Sequence, residues 1–169
     1  MSQTAARWHD DRARYGPHAW WREQSIWSVA VLRLGQWTDE RPGGAGRLAL
    51  ARLYWPLYRI VETLTGIGVT KAVEVGGGLR IYHFGGIFIA DGVRIGARCT
   101  LRQGVTLGER TEGGPLPVLG DDVELGAYAQ ILGGVRVGDG ARVGALSLVL
   151  DDVAPGSTVV GIPARPVRA

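Results

Sequence analysis

The feature that most constrains this chain is a six-residue period in its C-terminal part. From residue 69 onward an aliphatic side chain recurs at every sixth position, with two interruptions. Glycine directly follows most of these side chains, and a second small or apolar residue comes four positions after most of them. The aliphatic positions are Val69, Val75, Ile81, Ile89, Ile95, Leu101, Leu107, Leu119, Leu125, Ile131, Val137, Val143 and Val149.

A period of six with two inward positions fits neither an α-helix nor a flat strand, because those repeat every ~3.6 and every ~2 residues. It is typical of the hexapeptide repeat of a parallel β-helix, in which three repeats of about six residues complete one triangular coil. The aliphatic side chain fills the prism, and the glycine or small residue takes the turn. About five coils fit before Leu150, and Cys99 occupies an inward position, where we expect a buried thiol.

Residues 1–68 show helical spacing instead, so we expect an α-helical region before the β-helix domain of residues 69–169. In residues 47–66 the apolar side chains recur at roughly helical period, with Pro56 as a kink or boundary. The expected role of this region is to pack between subunits or to cap the first coil, because an open coil exposes core and strand edges.

Composition and charge exclude several classes of function. The net charge is +3, and no cluster of Lys and Arg alternates with aromatic residues in the repeat, so nucleic-acid binding is not expected. The single cysteine rules out an internal disulfide, and no Cys/His cluster of zinc type is present, so we expect no metal. The first twenty residues are charged and lack an apolar core, which favours a cytoplasmic location.

Contact of the Trp- and Arg-rich N-terminal region with a membrane surface is an alternative to subunit packing, because Trp and Arg suit the headgroup zone. Arg33 within the apolar run of residues 26–34, and the acids Asp39 and Glu40, count against this alternative. That run is also too short to span a bilayer.

The first interruption of the period falls at His83, the only histidine within the repeat. Ile81 and Ile89 are eight residues apart, so we expect the extra residues of "HFGG" to bulge the corner beside His83. A bulge can turn a side chain away from the regular wall, as bulges do near active sites. A structural histidine would instead pack on the wall with its nitrogens bonded to the backbone. Gln103 lies one coil further on, so we expect it to stack beside His83.

The second interruption lies between Leu107 and Leu119, and we expect residues 109–118 to project from the prism as a loop, because they hold two prolines and paired glycines. Glu109, Ala127 and Ala145 are spaced by 18 residues, which predicts that they stack along one edge. Small side chains leave backbone N–H and C=O groups open to a long, thin ligand with amide groups. The pantetheine arm of coenzyme A is such a ligand.

Residues 69–169 resemble the hexapeptide acyltransferases, in particular the serine O-acetyltransferase branch. The segments that carry this resemblance are "LRIYHFGGIFI", "GVTLGERTEGGPLPVLGDDVELGAYAQILGGVRVGDGARVGALSLVL" and "VVGIPARPV". Over nearly the whole chain the sequence looks closest to the exopolysaccharide O-acetyltransferases of the colanic-acid type, which share the "LRI-x-H" histidine, the "R-x-GVT-[IL]-G" turn and an "LYRI" stretch before the first coil. The resemblance implies a mainly β fold with a left-handed β-helix, a homotrimer, and acetyl-CoA in a groove between adjacent prisms.

By match to the motif, His83 would be the general base that takes the proton from an acceptor hydroxyl as its oxygen attacks the thioester carbonyl. A histidine suits this task because imidazole titrates near neutral pH. Tyr82 and Gln103, the neighbours of His83 along the chain and in the next coil, are the expected acceptor-binding residues.

The resemblance also assigns the cofactor edge. The backbone around Ala127 and Ala145 would hold the pantetheine, and the "GIPAR" turn would close over the cofactor. Arg165 and Arg168 would meet the phosphates of the coenzyme, or else remain solvated charges near the C-terminus. The residues expected to bind the cofactor are Glu109, Ala127, Ala145, Gly161, Arg165 and Arg168.

The chain departs from the serine enzymes where they orient the base and hold a charged serine. Tyr82 stands where the serine enzymes have an acid directly before the histidine. Gly68 stands where they have a second acid, fifteen residues before the histidine. Residues 115–117 (Pro-Leu-Pro) replace an Arg-His-Pro. We therefore expect an uncharged, hydroxyl-rich acceptor, such as a sugar of a polysaccharide, glycolipid or natural product. Serine acetylation and a non-catalytic trimeric scaffold remain alternatives, and Glu74, Asp91 or a backbone carbonyl could orient His83.

Overall fold

A computed structural model describes residues 2–167, in which four helices are followed by fifteen short strands. The helices are α1 (Gln3–Ala13), α2 (Ala19–Arg22), α3 (Ser25–Glu40) and α4 (Ala45–Thr65). The strands are β1 (Ile67–Val69), β2 (Glu74–Val75), β3 (Arg80–Tyr82), β4 (Ile87–Ile89), β5 (Arg94–Ile95), β6 (Thr100–Arg102), β7 (Thr106–Gly108), β8 (Val118–Leu119), β9 (Glu124–Leu125), β10 (Gln130–Leu132), β11 (Arg136–Val137), β12 (Arg142–Val143), β13 (Leu148–Val149), β14 (Thr158–Gly161) and β15 (Ala164–Pro166).

The strands form three sheets, each of which is one face of a triangular prism. The first face has the order β1-β4-β7-β10-β13, the second β2-β5-β8-β11, and the third β3-β6-β9-β12-β14-β15. Neighbouring strands are parallel, except that β15 runs antiparallel to β14 at the C-terminal end. This arrangement confirms the predicted left-handed parallel β-helix of about five coils.

The interior of the prism is filled by the aliphatic residues of the period. Ile81, Leu101 and Leu125 are fully buried one above another, as are their counterparts on the other two faces. Cys99 is buried as predicted, and its Sγ lies 3.2 Å from the carbonyl oxygen of Gly120. Burial raises the pKa of the Cys99 thiol to about 11.

The coils differ in length, and each difference is confined to one corner. Ile67 pairs with Ile87 after twenty residues, whereas Phe88 pairs with Thr106 after eighteen. Thr106 then pairs with Gln130 after twenty-four. The two extra residues of the first coil follow Tyr82, which confirms the bulge predicted at "HFGG".

Helix α3 covers the open end of the first coil. Ile26, Val29 and Leu32 belong to the same buried cluster as the interior of the prism. The exposed strand edge is satisfied by side chains, because Arg33 donates to the carbonyl of Val75 at 2.9 Å and forms a buried ion pair with Asp11 at 2.7 Å. The helical region therefore caps the coil, one of the two roles expected from the sequence.

Helix α4 continues through Pro56, so Pro56 is not a helix boundary, which was one of the two outcomes expected there. Pro56 lies on the exposed side, where the carbonyl that it leaves unpaired can bond water. The helix ends at Gly66, which adopts a left-handed conformation with φ 64°. The first strand follows at once, so β1 begins two residues before the expected start of the repeat at residue 69.

The outer side of α4 is apolar. Its exposed large side chains include Leu48, Leu53, Ile60 and Leu64. Among residues 2–167, however, no helix combines the length and hydropathy needed to cross a bilayer.

Candidate active site

His83 occupies a strained turn where the third face passes into the first. Its φ is 67°, in the left-handed region that side chains other than glycine avoid, at a typical cost of about 1–2 kcal/mol. Gly85 and Gly86 also have positive φ, so three of the four residues of "HFGG" adopt this conformation. The turn leaves the imidazole exposed to solvent. Within residues 2–167, four other non-glycine residues also have positive φ at turns, namely Arg98, Asp122, Tyr128 and Leu146, so the feature that distinguishes the His83 corner is its two extra residues.

Gln103 lies beside His83 in the next coil, as the spacing predicts. Tyr82 pairs with Arg102, which sets the residues that follow them side by side. The backbone carbonyl of Gln103 accepts a hydrogen bond from the Tyr128 N–H at 2.9 Å. Its side-chain Oε1 is buried and has no hydrogen-bond partner among residues 2–167. A buried acceptor without a donor is uncommon in folded proteins.

Aromatic side chains surround the corner and remain exposed. Phe84, Phe88 and Tyr128 each expose more than half of their surface, at 52%, 58% and 53%. The Tyr82 ring is partly covered, because the guanidinium of Arg80 stacks on it, 4.3 Å from the ring centroid. The site therefore presents flat apolar surfaces beside the imidazole.

Two carboxylates considered as partners of His83 are engaged elsewhere in the chain. Glu74 forms an ion pair with Arg94 at 3.1 Å on the second face. Asp91 accepts a hydrogen bond from the hydroxyl of Thr70. Neither is placed to orient His83 within one chain.

The predicted cofactor edge continues the same corner. Ala127 and Ala145 are neighbours in adjacent coils, because Leu146 donates its N–H to the carbonyl of Ala127 at 2.8 Å. The C-terminal turn reaches this corner too, since the N–H of Gly161 donates to Ser147 Oγ at 3.1 Å. Ala127, Ala145 and Gly161 thus lie along one edge that leads to the histidine corner.

Glu109 does not lie on this edge, so the prediction that it stacks with the two alanines is wrong. Gly133 donates its N–H to the carbonyl of Gly108, which places Glu109 beside Gly133 where the first face passes into the second. The cause is the projecting loop, which lengthens the third coil by six residues and breaks the 18-residue spacing there. The loop covers residues 109–117, because residue 118 already belongs to β8.

Arg165 lies on β15, and its guanidinium forms an exposed ion pair with Asp151 at 3.2 Å. Such a pair is weak in water, so Asp151 does not prevent Arg165 from meeting another anion. Arg168, the second arginine expected at the phosphates, lies outside the described residues.

Sequence reasoning missed Glu62, which lies on the last turn of α4. A Cβ on Gly68 would lie 3.2 Å from Glu62 Oε1, so this carboxylate lies over the backbone of β1. No sequence pattern identifies this residue, because its place depends on how α4 packs against the first coil. Among residues 2–167 no group of three or more His, Cys, Asp or Glu side chains is arranged to hold a metal ion.

Two parts of the repeat match known transferase families. Residues 117–151 match the family described as "Bacterial transferase hexapeptide (six repeats)". Residues 86–111 match the "Hexapeptide repeat of succinyl-transferase". No curated protein sequence matches the chain.

Among solved structures, serine acetyltransferases share the fold over nearly the whole chain. The soybean apoenzyme is 29% identical with a TM-score of 0.79, and the match covers 98% of this chain and 67% of that one. The enzyme from Neisseria gonorrhoeae is 28% identical with a TM-score of 0.79, covering 99% and 67%. That from Vibrio cholerae is 26% identical with a TM-score of 0.80, covering 96% and 65%. The repeat and these matches together make the chain an acyltransferase.

Proposed function

We propose that this acyltransferase takes acetyl groups from acetyl-CoA and transfers them to a hydroxyl of a sugar in a polysaccharide, glycolipid or natural product. The observation that carries the proposal is the position of His83, exposed on the two-residue bulge among aromatic side chains. His83 acts as general base, and it takes the hydroxyl proton while the oxygen attacks the thioester carbonyl. The carbon–sulfur bond then breaks, and the imidazolium returns the proton to the leaving thiolate.

A sugar acceptor is favoured by what lines the corner. Aromatic rings such as those of Phe84 and Phe88 offer flat apolar surfaces that suit the apolar face of a sugar ring. Gln103 lies beside His83 in the next coil, where its carboxamide can hydrogen-bond a sugar hydroxyl. Residues 115–117 are Pro-Leu-Pro, so they supply no charge to bind a serine carboxylate. Leu116 packs against the core and Pro117 is buried.

The acetyl-CoA groove follows the edge of Ala127 and Ala145, with the turn at Gly161 at its end and Arg165 near the phosphates. We place this groove between two subunits of a homotrimer. Large apolar side chains at the same corner support this arrangement, because Leu146 and Ile162 are 65% and 73% exposed in the single chain. A neighbouring prism would cover them and exclude water from the thioester. A cytoplasmic location fits the single free thiol of Cys99.

Serine O-acetylation is the second candidate, and the similarity to serine acetyltransferases favours it. The soybean enzyme, 29% identical, has also been solved in complex with serine. The chain lacks the charged groups at Tyr82, Gly68 and residues 115–117 that the sequence comparison expects for such an acceptor. A non-catalytic trimeric scaffold would retain neither acetyl-CoA binding nor turnover.

The test is release of free thiol from acetyl-CoA by the purified protein, with serine and a panel of sugars and oligosaccharides as acceptors. We expect release that depends on a sugar. We also expect His83→Ala to lower turnover by roughly two to four orders of magnitude while acetyl-CoA still binds. Release with serine alone would establish the second candidate. A protein that neither binds acetyl-CoA nor releases thiol would be a scaffold.

A further inference from the structure

Helix α4 ends against the histidine bulge. A Cβ on Gly66 would lie 3.0 Å from the Cα of Gly85 and 3.3 Å from the N of Gly86. The last turn of α4 and the bulge that carries His83 are therefore in direct backbone contact. A charged side chain on that turn belongs to the surroundings of the active-site corner, although it lies outside the β-helix.

Glu62 is that side chain. Its N-terminal neighbours and its own carbonyl hold the helix end, since Gly66 donates its N–H to the carbonyl of Glu62 at 2.7 Å. Its carboxylate extends over β1, 3.2 Å from the place of a Cβ on Gly68, and the Phe88 ring lies 3.7 Å from the same point. Gly68 and Phe88 are paired residues of the first and second coils, the two coils that the bulge connects. The carboxylate thus lies on the outer surface where these coils meet.

Two donors hold Glu62 in place while leaving it able to accept another hydrogen bond. The Tyr58 hydroxyl donates to Oε1 at 2.9 Å, and Arg59 donates to Oε2 at 2.9 Å. Burial, and then the hydrogen bond to Glu62, raise the pKa of Tyr58, so this hydroxyl keeps its proton and remains a donor. An ionised carboxylate offers about four acceptor positions, of which these donors use two. The Glu62 side chain is 28% exposed, so the remaining positions are reachable.

A histidine that works as a base through one ring nitrogen needs its proton held on the other. A carboxylate that accepts this N–H fixes the tautomer and stabilises the imidazolium that forms during the reaction. We infer that Glu62 is the positioning residue for His83, an inference that rests on the proposed function. Among residues 2–167 no hydrogen bond joins the two side chains, so the inference requires the exposed imidazole to turn towards Glu62 in solution, before any acceptor binds.

Rescue from a second position tests this inference. Glu62→Ala should lower kcat roughly 10- to 100-fold, the usual effect of losing a residue that orients another. The KM for acetyl-CoA should stay unchanged. Gly68→Asp, introduced into Glu62→Ala, should restore most of the turnover, because it returns a carboxylate to the same place. Gly68 does not have a left-handed backbone, and the nearest obstacle to its new Cβ is the carboxylate that the first change removes.

A control separates this role from loss of the helix end. The variant Thr63→Ala changes an exposed side chain on the same last turn of α4 and keeps Glu62 with both of its donors, so its kcat should stay near that of the wild type. Thermal unfolding of all variants checks that the fold is retained.

A readout that needs no acceptor keeps this inference separate from the proposed function. Nitrogen-15 NMR of the imidazole reports which ring nitrogen carries the proton, and His83→Asn identifies the resonances. We expect one dominant tautomer in the wild type, a mixture in Glu62→Ala, and one tautomer again in Glu62→Ala/Gly68→Asp. An unchanged tautomer in Glu62→Ala would overturn the role of Glu62, whether or not the protein transfers acetyl groups. Absent turnover with an altered tautomer would count against the proposed function alone.

Discussion

The ring of Tyr128 packs over the α-carbon of Gly104, which lies in the preceding coil. A Cβ on Gly104 would lie 2.2 Å from Cδ1 of that ring, and Gly104 has a φ of 74°. Gly104 directly follows Gln103 at the histidine corner. The absence of a side chain at residue 104 therefore positions an aromatic surface of the proposed acceptor site.

Gly104→Ala should destabilise the fold and disturb the acceptor site together. The left-handed backbone alone costs about 1–2 kcal/mol for alanine, and the new methyl group also displaces the Tyr128 ring. Urea unfolding should show the lower stability, and the KM for the sugar acceptor should rise. Gly108→Ala is the matched control. A Cβ on Gly108 would meet no atom within 4 Å, and Gly108 does not have a left-handed backbone. Equal unfolding midpoints for the two variants would contradict this account.

Ala145→Leu should raise the KM for acetyl-CoA several-fold, because a branched side chain would fill the edge proposed for pantetheine. Steady-state kinetics with varied acetyl-CoA at saturating acceptor measures this effect. Ala72→Leu is the control, since Ala72 is also exposed but lies on the first coil, away from this edge. If Ala145→Leu changes only acceptor kinetics, the groove lies on a different edge.

Arg165→Ala should weaken the use of acetyl-CoA but not of S-acetylpantetheine, which lacks the nucleotide and its phosphates. Arg165 forms an exposed ion pair with Asp151, and removing that pair should leave stability nearly unchanged. The KM for the two donors, measured side by side, reports the difference. Arg142→Ala removes a similar exposed arginine paired with Glu124, and it should affect neither donor. A similar loss with both donors would place Arg165 away from the phosphates.

Cys99 should resist modification in the folded protein and make stability fall at high pH. Its folded-state pKa of about 11 exceeds the ordinary value of 9.0, so the folded chain keeps a proton that the unfolded chain releases. The stability contribution is therefore complete below about pH 9 and is lost as the pH rises towards 11. A thiol reagent at pH 8 should react slowly until urea is added.

The matched variant for this prediction is Cys99→Ala, because Ala141 fills the equivalent inward position of a later coil. Burial also raises the pKa of Tyr54, to about 12, so Tyr54 contributes to the pH dependence of stability in both proteins. The difference in unfolding free energy between wild type and variant therefore reports the thiol alone. Unfolding curves at pH 8, 9 and 10 should show a steeper loss of stability for the wild type. Parallel curves would mean that the thiol is not the titrating group.

The sequence alone was sufficient where local spacing determines structure. The six-residue period identified the buried residues of the coils. Its break at "HFGG" identified the bulge, because the pairing on either side leaves two extra residues between Tyr82 and Phe88. The same counting failed at Glu109. The twelve residues from Leu107 to Leu119 preserve the six-residue phase, and phase alone does not show that the coil gained one repeat and moved Glu109 to another corner.

The surroundings of His83 could be predicted only in part. The neighbours given by register, such as Gln103, follow from residue counting. Glu62 could not be found in this way, because its place over Gly68 depends on how helix α4 packs on β1. Contacts between the helical region and the coil depend on tertiary arrangement, which no repeat encodes.

The two irregular segments of the prism lie at different corners, and this separates the chemistry from the part most open to variation. The bulge with His83 lies where the third face meets the first, whereas the loop of residues 109–117 projects where the first meets the second. Strands on both sides of the loop keep their pairing despite the six added residues. Loops of other lengths can therefore be exchanged at that corner while the histidine stays in register. A fold of this kind can vary that surface segment without changing the proposed catalytic corner.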